Sequence, residues 1–322
     1  MPNNILLDIK DLSVSLRNGN DTLNVINNIS LSVKSGDLFA IVGESGSGKS
    51  VTSLTIMDLL PSNFFVSFGS ILFENQELLS MSKEKRRALK GLKAGMIFQD
   101  PLTALNPLMT VGLQIAENIM LHKKTPKKEA LNKAGLLLEK VGIKDGISRT
   151  GDYPHQLSGG MRQRVMIAMA ISCNPSLLIA DEPTTALDVT VQAGVMSLIK
   201  DLCASESMAL LLISHNLALV KSYCLKTAVM YCGMIAETGL SENIFKNPKH
   251  PYTRGLISCL PSMFSCKKIT SIQGQPPSLS DRPAGCFFHP RCNEKKQICE
   301  KETPKISVID DSHSVRCHLY GN

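Results

Sequence analysis

The chain has 322 residues, 43% of them hydrophobic and 20% charged, which is ordinary globular composition and excludes a disordered or fibrous protein. Its net charge of +7 bears on solubility and on association with anionic partners rather than on the fold. The N-terminus lacks the basic start and apolar run of a signal peptide, and no apolar run approaches the roughly 20 residues needed to span a bilayer. We therefore expect a protein that does not cross a membrane by itself but can lie against one.

The start of the chain predicts strands that lead into a glycine-rich loop and a helix. Partly alternating or apolar runs predict short strands at 5–14, 29–33 and 38–42. After the loop, an apolar-periodic segment at 50–60 predicts a helix that stops before Pro61. The order is therefore strand, glycine loop, helix.

The middle of the chain alternates between the two kinds of element. The patterns predict an exposed helix or loop at 81–93, a strand at 96–99, helices at 107–157 and 160–172, a strand at 177–180, a helix at 189–204 and a strand at 209–213. This alternation predicts an α/β core with a mostly parallel sheet. Beyond about residue 240 prolines and cysteines concentrate, which predicts a C-terminal appendage with little regular structure.

The glycine loop matches the pattern G-x-x-x-x-G-K-[ST] at every position. Glycines let backbone N–H groups turn inward around phosphates, and the following helix offers its positive N-terminal end. Lys49 can reach the β- and γ-phosphates, and the Ser50 hydroxyl can coordinate Mg²⁺. The predicted nucleotide-binding residues here are Gly43, Glu44, Ser45, Gly46, Ser47, Gly48, Lys49 and Ser50. A flexible glycine turn is the alternative, but the flanking strand and helix favour the phosphate loop.

A second part of an NTPase site follows at the end of the apolar strand 177–180. Asp181 can hold the Mg²⁺ shell, and Glu182 can orient and polarise the attacking water. In isolation a strand followed by an acidic turn is common. Downstream of a phosphate loop the pair favours nucleotide hydrolysis.

Ser158-Gly159-Gly160, at the start of a predicted helix, is a second group of N–H donors suited to phosphate. One nucleotide does not need two such groups in one chain, but a dimer in which each subunit caps the other's nucleotide does. With Leu157 in front, the motif resembles the Leu-Ser-Gly-Gly signature of ATP-binding-cassette (ABC) transporter ATPases. The resemblance implies that Ser158 and Gly160 serve the nucleotide of a partner subunit.

The other positions of that family occur in order. Gln99 resembles the glutamine of the loop that senses Mg²⁺, water and the membrane subunits, and Asp188 resembles the aspartate that communicates across the dimer. His215 resembles the switch histidine that contacts the γ-phosphate. Leu16 stands where the family usually has an aromatic residue on adenine, and an aliphatic side chain lacks the stacking contribution. The resemblance implies catalytic roles for Glu182, His215, Lys49 and Gln99.

Longer stretches narrow the resemblance to the oligopeptide and dipeptide importers, some of which carry nickel or other solutes. The similar stretches are Phe98–Pro107, Met161–Ala170, Asn247–Thr253 and Gly274–Pro277. The branch implies a second ABC ATPase subunit, two membrane permease subunits and an extracytoplasmic solute-binding protein. It also implies a peripheral position on the cytoplasmic face of the inner membrane. A soluble ABC ATPase acting on DNA or ribosomes is the rival, but it usually has two cassettes or a coiled-coil insertion; we expect no nucleic-acid partner.

The implied fold is a P-loop NTPase core with N-terminal antiparallel strands, a mostly parallel sheet and an inserted helical subdomain at about 100–158. We divide the chain into an ATPase domain at 1–245 and a C-terminal extension at 246–322. The implied reaction is water attack on the γ-phosphate of ATP, with Glu182 as the base and with Lys49 and Mg²⁺ stabilising charge.

Ten cysteines are present, and the last segment contains a group of four, Cys286, Cys292, Cys299 and Cys317. The spacing is wider than the C-x₂₋₄-C pairs of most zinc sites, while iron–sulfur clusters accept wider spacing. The importer branch carries four such cysteines around a [4Fe–4S] cluster. Zinc and unliganded thiols are the alternatives, and His289, His313 and His318 could substitute as ligands. The other six cysteines, Cys266 among them, are expected to be buried apolar residues or incidental thiols.

Overall fold

The computed structural model describes residues 5–185, 187–260 and 272–321, so Cys266 lies outside the described residues. The chain divides into two compact units. The first is built mainly from Val33–Asp37 and Ser80–Leu212, and the second from Leu7–Ser32, Leu38–Leu79 and the chain from Ile213 onward.

The strands are β1 (Ile5–Asn18), β2 (Asp21–Lys34), β3 (Leu38–Val42), β4 (Phe64–Phe73), β5 (Gln76–Glu77), β6 (Ala94–Ile97), β7 (Leu177–Asp181), β8 (Ala209–Ser214), β9 (Lys226–Tyr231), β10 (Met234–Leu240), β11 (Ile306–Asp310) and β12 (His313–Arg316). The α-helices are α1 (Lys49–Ile56), α2 (Lys83–Leu89), α3 (Pro101–Ala104), α4 (Val111–Lys123), α5 (Lys127–Lys140), α6 (Gly159–Ile171), α7 (Val189–Ser205), α8 (Leu217–Tyr223), α9 (Ser241–Lys246) and α10 (Pro251–Ser258). Among the described residues, no helix is both long enough and apolar enough to span a bilayer.

The second unit contains an antiparallel sheet and a mixed set of strands. The antiparallel sheet has the order β2-β1-β4-β5, with Leu7 of β1 opposite Phe73 of β4. In the mixed set, β3 runs parallel to β9, and β9, β10, β12 and β11 follow as antiparallel neighbours. Strand β3 is almost wholly buried and leads directly into the phosphate loop and α1.

The first unit combines parallel strands with a group of helices. Strands β6 and β7 pair in parallel from Ala94 opposite Leu177 to Ile97 opposite Ala180, and every residue of both strands is buried. Such wholly apolar runs are typical of parallel strands covered on both faces. Helices α3, α4 and α5 fill the stretch where the sequence predicts a helical subdomain.

The structure confirms the predicted α/β fold with antiparallel N-terminal strands and an inserted helical region. Helix α1 ends earlier than its apolar pattern suggests. Asp58 adopts a left-handed φ of 50°, a conformation that ends helices. The expectation of little regular structure beyond residue 240 is wrong in part, because α9, α10, β11 and β12 lie there.

Candidate functional site

The phosphate loop lies between β3 and α1 in the second unit, and two of its glycines have no room for a side chain. A Cβ atom on Gly43 would lie 2.1 Å from the carbonyl oxygen of Met230, and one on Gly48 would lie 2.8 Å from the Met230 methyl group. Gly48 also has a φ of 104°, which L side chains rarely adopt. The loop is therefore folded tightly against the end of β9.

Two polar side chains of the loop, Lys49 and Ser47, could bind the phosphates of a nucleotide. The Lys49 ammonium donates hydrogen bonds to the carbonyl oxygens of Gly43 and Glu44, both at 2.9 Å, and only 5% of the residue is exposed. The Ser47 hydroxyl is buried and has no hydrogen-bond partner among the residues that the structure describes. Buried hydroxyls are normally paired, so this orphaned group fits an anionic ligand held by the loop.

The loop also has contacts that sequence reasoning missed. The Glu44 N–H donates to the Tyr252 hydroxyl at 2.9 Å, and the Glu44 carboxylate pairs with Arg291 at 2.7 Å. These partners are 208 and 247 residues away along the chain, and no local pattern connects them with the loop.

In the first unit, the carboxyl end of β7 brings together two of the predicted site residues. Asp181 ends the strand and is 6% exposed. Glu182 follows with a left-handed φ of 47°. Its Oε2 accepts hydrogen bonds from Gln99 Nε2 and from the Thr185 hydroxyl, both at 2.9 Å. A strained residue held on two sides is typical of a functional site.

The Ser158-Gly159-Gly160 turn begins α6 in the first unit. The Ser158 hydroxyl caps the helix by accepting the Met161 N–H at 3.3 Å. A Cβ atom on Gly159 would meet nothing within 4 Å, and one on Gly160 would touch only Val191 at 3.4 Å. Ser158 and Gly159 are exposed. The helix start thus presents its N–H groups outward from its unit.

Asp188 and His215 each occupy the start of a helix region. Asp188 caps α7, where its carboxylate accepts the Val191 N–H at 2.9 Å. The preceding turn is fixed by Gln192, which donates to the Thr184 and Leu187 carbonyl oxygens at 2.9 and 3.1 Å. His215 is exposed and comes directly after β8, in the second unit.

Leu16 lies near the end of β1, also in the second unit. Its partner across the antiparallel pair is Phe64 of β4. Directly opposite residues share one face of a sheet, so an aromatic ring lies beside Leu16 after all. The sequence did not indicate this neighbour because β4 was not predicted.

The predicted site residues therefore fall in both units. Those in the first unit are Gln99, Ser158, Gly160, Asp181, Glu182 and Asp188, and those in the second are Leu16, Gly43, Glu44, Ser45, Gly46, Ser47, Gly48, Lys49, Ser50 and His215.

The four C-terminal cysteines are neighbours in the second unit. The Cys286 N–H donates to the Cys299 carbonyl oxygen at 2.8 Å, and the Lys296 N–H donates to the Cys299 sulfur at 3.4 Å. Burial raises the pKa of Cys286 to about 11, and the negative charges of Cys299, Cys317 and Cys292 add to this. Within the part of the chain that the structure describes, no three or more His, Cys, Asp or Glu side chains form a ready metal-binding group.

The three histidines that could substitute as ligands have other partners. His313 Nε2 lies 2.7 Å from a carboxylate oxygen of buried Glu237. His289 Nδ1 lies 3.0 Å from the Cys286 carbonyl oxygen, and His318 Nε2 lies 2.8 Å from the Glu302 carbonyl oxygen. Each of these contacts occupies one of the two ring nitrogens of its histidine.

Comparison with known proteins identifies the family. The ABC transporter family model matches residues 26–185, and the model for the oligopeptide/dipeptide transporter C-terminal region matches 236–299. The dipeptide transport ATP-binding protein DppD of Haemophilus influenzae is 48% identical over 97% of this chain and 95% of its own length. Its Bacillus subtilis counterpart is 45% identical over 98% of this chain and 94% of its own length. The chain belongs to the ABC transporter ATPases. The two family-model matches together place the chain in the oligopeptide/dipeptide branch of this family, as the sequence motifs predict.

Solved structures show the same fold. A dimeric ATP-binding cassette in a post-hydrolysis state with ADP and Pi aligns with a TM-score of 0.66 at 24% identity, covering 73% of this chain and 98% of that one. The CbiO1 protein of Clostridium perfringens, part of an ABC transporter complex, aligns with a TM-score of 0.64 at 26% identity, covering 76% of this chain and 92% of that one. This ABC ATPase is an ATP-hydrolysing transporter subunit by family, and its predicted enzyme class is confirmed.

Proposed function

We propose that this ABC ATPase powers the import of dipeptides or oligopeptides. The observation that carries the proposal is the C-terminal region at 236–299, which matches the oligopeptide/dipeptide transporter model. Relatives named for dipeptide transport align along nearly the whole chain, including this region. The same motor with nickel or another solute is the alternative. A soluble ABC ATPase without a transport role is disfavoured, because residues 236–299 match a transporter region.

For hydrolysis, we assign the roles that the motifs imply to the residues as the structure has them. The phosphate loop and the Lys49 ammonium would hold the β- and γ-phosphates, with the Ser47 hydroxyl free to bond a phosphate oxygen. Ser50, Gln99 and Asp181 would hold Mg²⁺, which neutralises charge on the phosphates when bound. Glu182, kept in place by Gln99 and Thr185, would accept the proton of the attacking water. His215 would contact the γ-phosphate.

The remaining motif residues are assigned to a partner subunit's nucleotide. Ser158 and Gly160 would donate to the partner's γ-phosphate, and Asp188 would contact the partner. The support for this is the open surface around the turn, where Gly159 has no neighbour that a Cβ atom would meet. Such a turn can dock against a second subunit without displacing anything in its own.

Permease contact is proposed beside the glutamine loop. Three large apolar side chains near Gln99 are exposed: Phe98 at 39%, Leu102 at 65% and Leu108 at 85%. Exposed apolar groups in one stretch are typical of protein docking sites. We assign them to the two membrane permease subunits, with the chain lying peripherally on the cytoplasmic face of the membrane. A second ABC ATPase subunit and an extracytoplasmic solute-binding protein complete the proposed assembly.

The four C-terminal cysteines are proposed to hold a [4Fe–4S] cluster, with zinc as the alternative. Four thiolates suit either group, and a backbone N–H bonded to the Cys299 sulfur is typical of cluster surroundings. A bound cluster would link the separate segments of the extension that carry the four cysteines. The functional division of the chain is proposed as an ATPase domain at 1–245 and an extension at 246–322; the matched C-terminal region begins before this boundary, at 236.

The test is ATP hydrolysis by the subunit purified with the permeases encoded by neighbouring genes and with the solute-binding protein. Dipeptides should stimulate hydrolysis, and nickel should not. Stimulation by nickel alone, or the absence of any permease partner, would overturn the peptide assignment. An anaerobic optical spectrum with iron and zinc analysis of the same sample tests the cluster, which stoichiometric zinc without iron would exclude.

A further inference from the structure

Two residues of the C-terminal extension, Tyr252 and Arg291, form hydrogen bonds with one residue of the phosphate loop, Glu44. The Tyr252 hydroxyl accepts the Glu44 N–H at 2.9 Å. Two guanidinium nitrogens of Arg291 lie 2.7 and 3.0 Å from the two Glu44 carboxylate oxygens, which is a two-pronged ion pair. The second residue of the loop is therefore fixed through both its backbone and its side chain.

Arg291 is itself held in one orientation. Its side chain is 6% exposed, and its Nε donates to the Gln273 carbonyl oxygen at 3.0 Å. Its Nη1 also reaches the Tyr231 hydroxyl at 3.3 Å. A guanidinium fixed on three sides loses little conformational freedom when it holds a carboxylate, so the pair positions Glu44 efficiently.

Tyr252 is equally fixed. It is fully buried, with its ring centroid 4.6 Å from that of Tyr231 and 5.4 Å from that of Phe288. Its N–H donates to His250 Nδ1 at 3.0 Å, and the His250 N–H donates to Glu237 at 2.9 Å. A chain of buried hydrogen bonds thus runs from β10 through the start of α10 to the loop.

The same side of the loop faces a further part of the extension. Residues 44–47 and Pro276–Leu279 line a cavity of about 200 Å³ together with Arg282. The loop therefore faces the extension across this cavity as well as at Tyr252 and Arg291, which come from two separate segments of the extension.

The position of Glu44 matters because Lys49 depends on it. The Lys49 ammonium donates to the Glu44 carbonyl oxygen at 2.9 Å, so the Glu44 peptide supports the group that binds phosphate. We propose that Arg291 and Tyr252 are positioning residues for nucleotide binding, through which the C-terminal extension pre-organises the phosphate loop. The proposal rests on the ATPase assignment alone, and neither the solute nor the metal enters it.

The test compares nucleotide affinity in the full-length subunit with a fluorescent ADP analogue, using Glu44→Gln, Arg291→Gln, the double variant and Tyr252→Phe. Each change at Glu44 or Arg291 should weaken binding about tenfold, and the double variant should be no weaker than either single one, because the two residues act as a pair. Tyr252→Phe keeps the ring and should weaken binding about threefold to tenfold. In the assembled complex, KM for ATP should rise while kcat stays within about twofold.

Lys295→Gln is the matched control. It also removes one positive charge from the extension, but its ion pair with Glu300 is about half exposed and does not involve the loop. It should leave affinity unchanged. If Arg291→Gln disturbs folding or metal content, the test rests on Glu44→Gln and Tyr252→Phe.

Two results would overturn the proposal. One is parent-like nucleotide affinity in both folded variants, Glu44→Gln and Tyr252→Phe, and the other is a fall in kcat without a rise in KM. A failure of dipeptides to stimulate hydrolysis would count against the proposed solute but not against this proposal.

Discussion

Two glycine-rich turns begin helices in this protein, and they differ in what surrounds them. The phosphate loop before α1 is packed within its own unit, where Met230 leaves no space for a Cβ atom on Gly43 and where Tyr252 and Arg291 hold Glu44. The Ser158-Gly159-Gly160 turn before α6 is exposed, and a Cβ atom on Gly159 would meet nothing within 4 Å.

The comparison separates two uses of glycine. In the phosphate loop, glycine is required by the protein's own structure. In the Ser158 turn the described residues of the same chain set no such requirement at Gly159, and the space in front of this glycine is open to a binding partner. This difference supports a nucleotide site that is completed by a second subunit.

The largest effect is expected at the carboxylate that both Gln99 and Thr185 hold. Glu182→Gln should lower ATP turnover of the assembled complex by at least about a hundredfold, because the amide cannot accept the water's proton. Nucleotide binding should persist, since the side chain keeps its shape. Steady-state phosphate release measures the change. Glu206→Gln, which alters a half-buried ion pair with Lys140 away from the motifs, should retain parent turnover; a similar loss there would remove the assignment of the base.

The contrast between the turns predicts that a glycine-to-alanine change affects the isolated subunit in one turn and only the assembled complex in the other. Gly43→Ala should weaken nucleotide binding by the isolated subunit about tenfold or more, because the loop must shift to relieve the contact with Met230. Gly159→Ala should leave binding and melting temperature of the isolated subunit unchanged but lower turnover of the assembled complex. Calorimetry and turnover assays on both variants measure this, and equal effects of Gly159→Ala on isolated and assembled protein would break the comparison.

A smaller effect is expected from the hydrogen bond between Gln99 and the carboxylate of Glu182, the proposed base. Gln99→Ala removes the 2.9 Å contact with Glu182 and should lower kcat about tenfold with little change in affinity for ATP. Gln76→Ala, at an exposed position of β5, is the control. An unchanged kcat in Gln99→Ala would mean that Thr185 alone orients Glu182.

The smallest effect is expected at Leu16, which is predicted to contact the adenine ring of ATP. Leu16→Tyr supplies an aromatic ring where the family usually has one and should improve affinity for ATP about threefold to tenfold. Leu240→Tyr, at a partly exposed position of β10, adds the same ring elsewhere and should change nothing. Competition between ATP and a labelled analogue measures both, and a loss of affinity in Leu16→Tyr would place the adenine away from this residue.

Local features of the fold and the site could be predicted from the sequence, whereas long-range features could not. The strand at 38–42 and its loop were predictable because an apolar run and a glycine pattern are contained within a dozen residues. Strand β4 was missed because Gly69 and its serine neighbours interrupt the apolar pattern. Strands β11 and β12 were missed because the prolines and cysteines around them indicate irregular structure.

The contacts of Glu44 with Tyr252 and Arg291 are long-range features of the site that the sequence could not predict. Arg291 next to Cys292 gave no sign of the phosphate loop, and the Glu44–Arg291 pair spans 247 residues. Only the tertiary fold brings these side chains together. The hydrogen bond between Gln99 and Glu182 was not predicted either, since 83 residues separate them; the family resemblance implied only a separate catalytic role for each.

The most direct test of the shared site is photocrosslinking from His155, an exposed residue three positions before Ser158. His155 is replaced by p-benzoylphenylalanine in the Glu182→Gln background, which leaves Gly159 intact, and the complex assembled with its partner ATPase subunit is irradiated with and without ATP. We expect a crosslink to the partner ATPase subunit whose yield rises when ATP is present. The absence of that crosslink, or a yield that does not depend on ATP, would contradict the shared site.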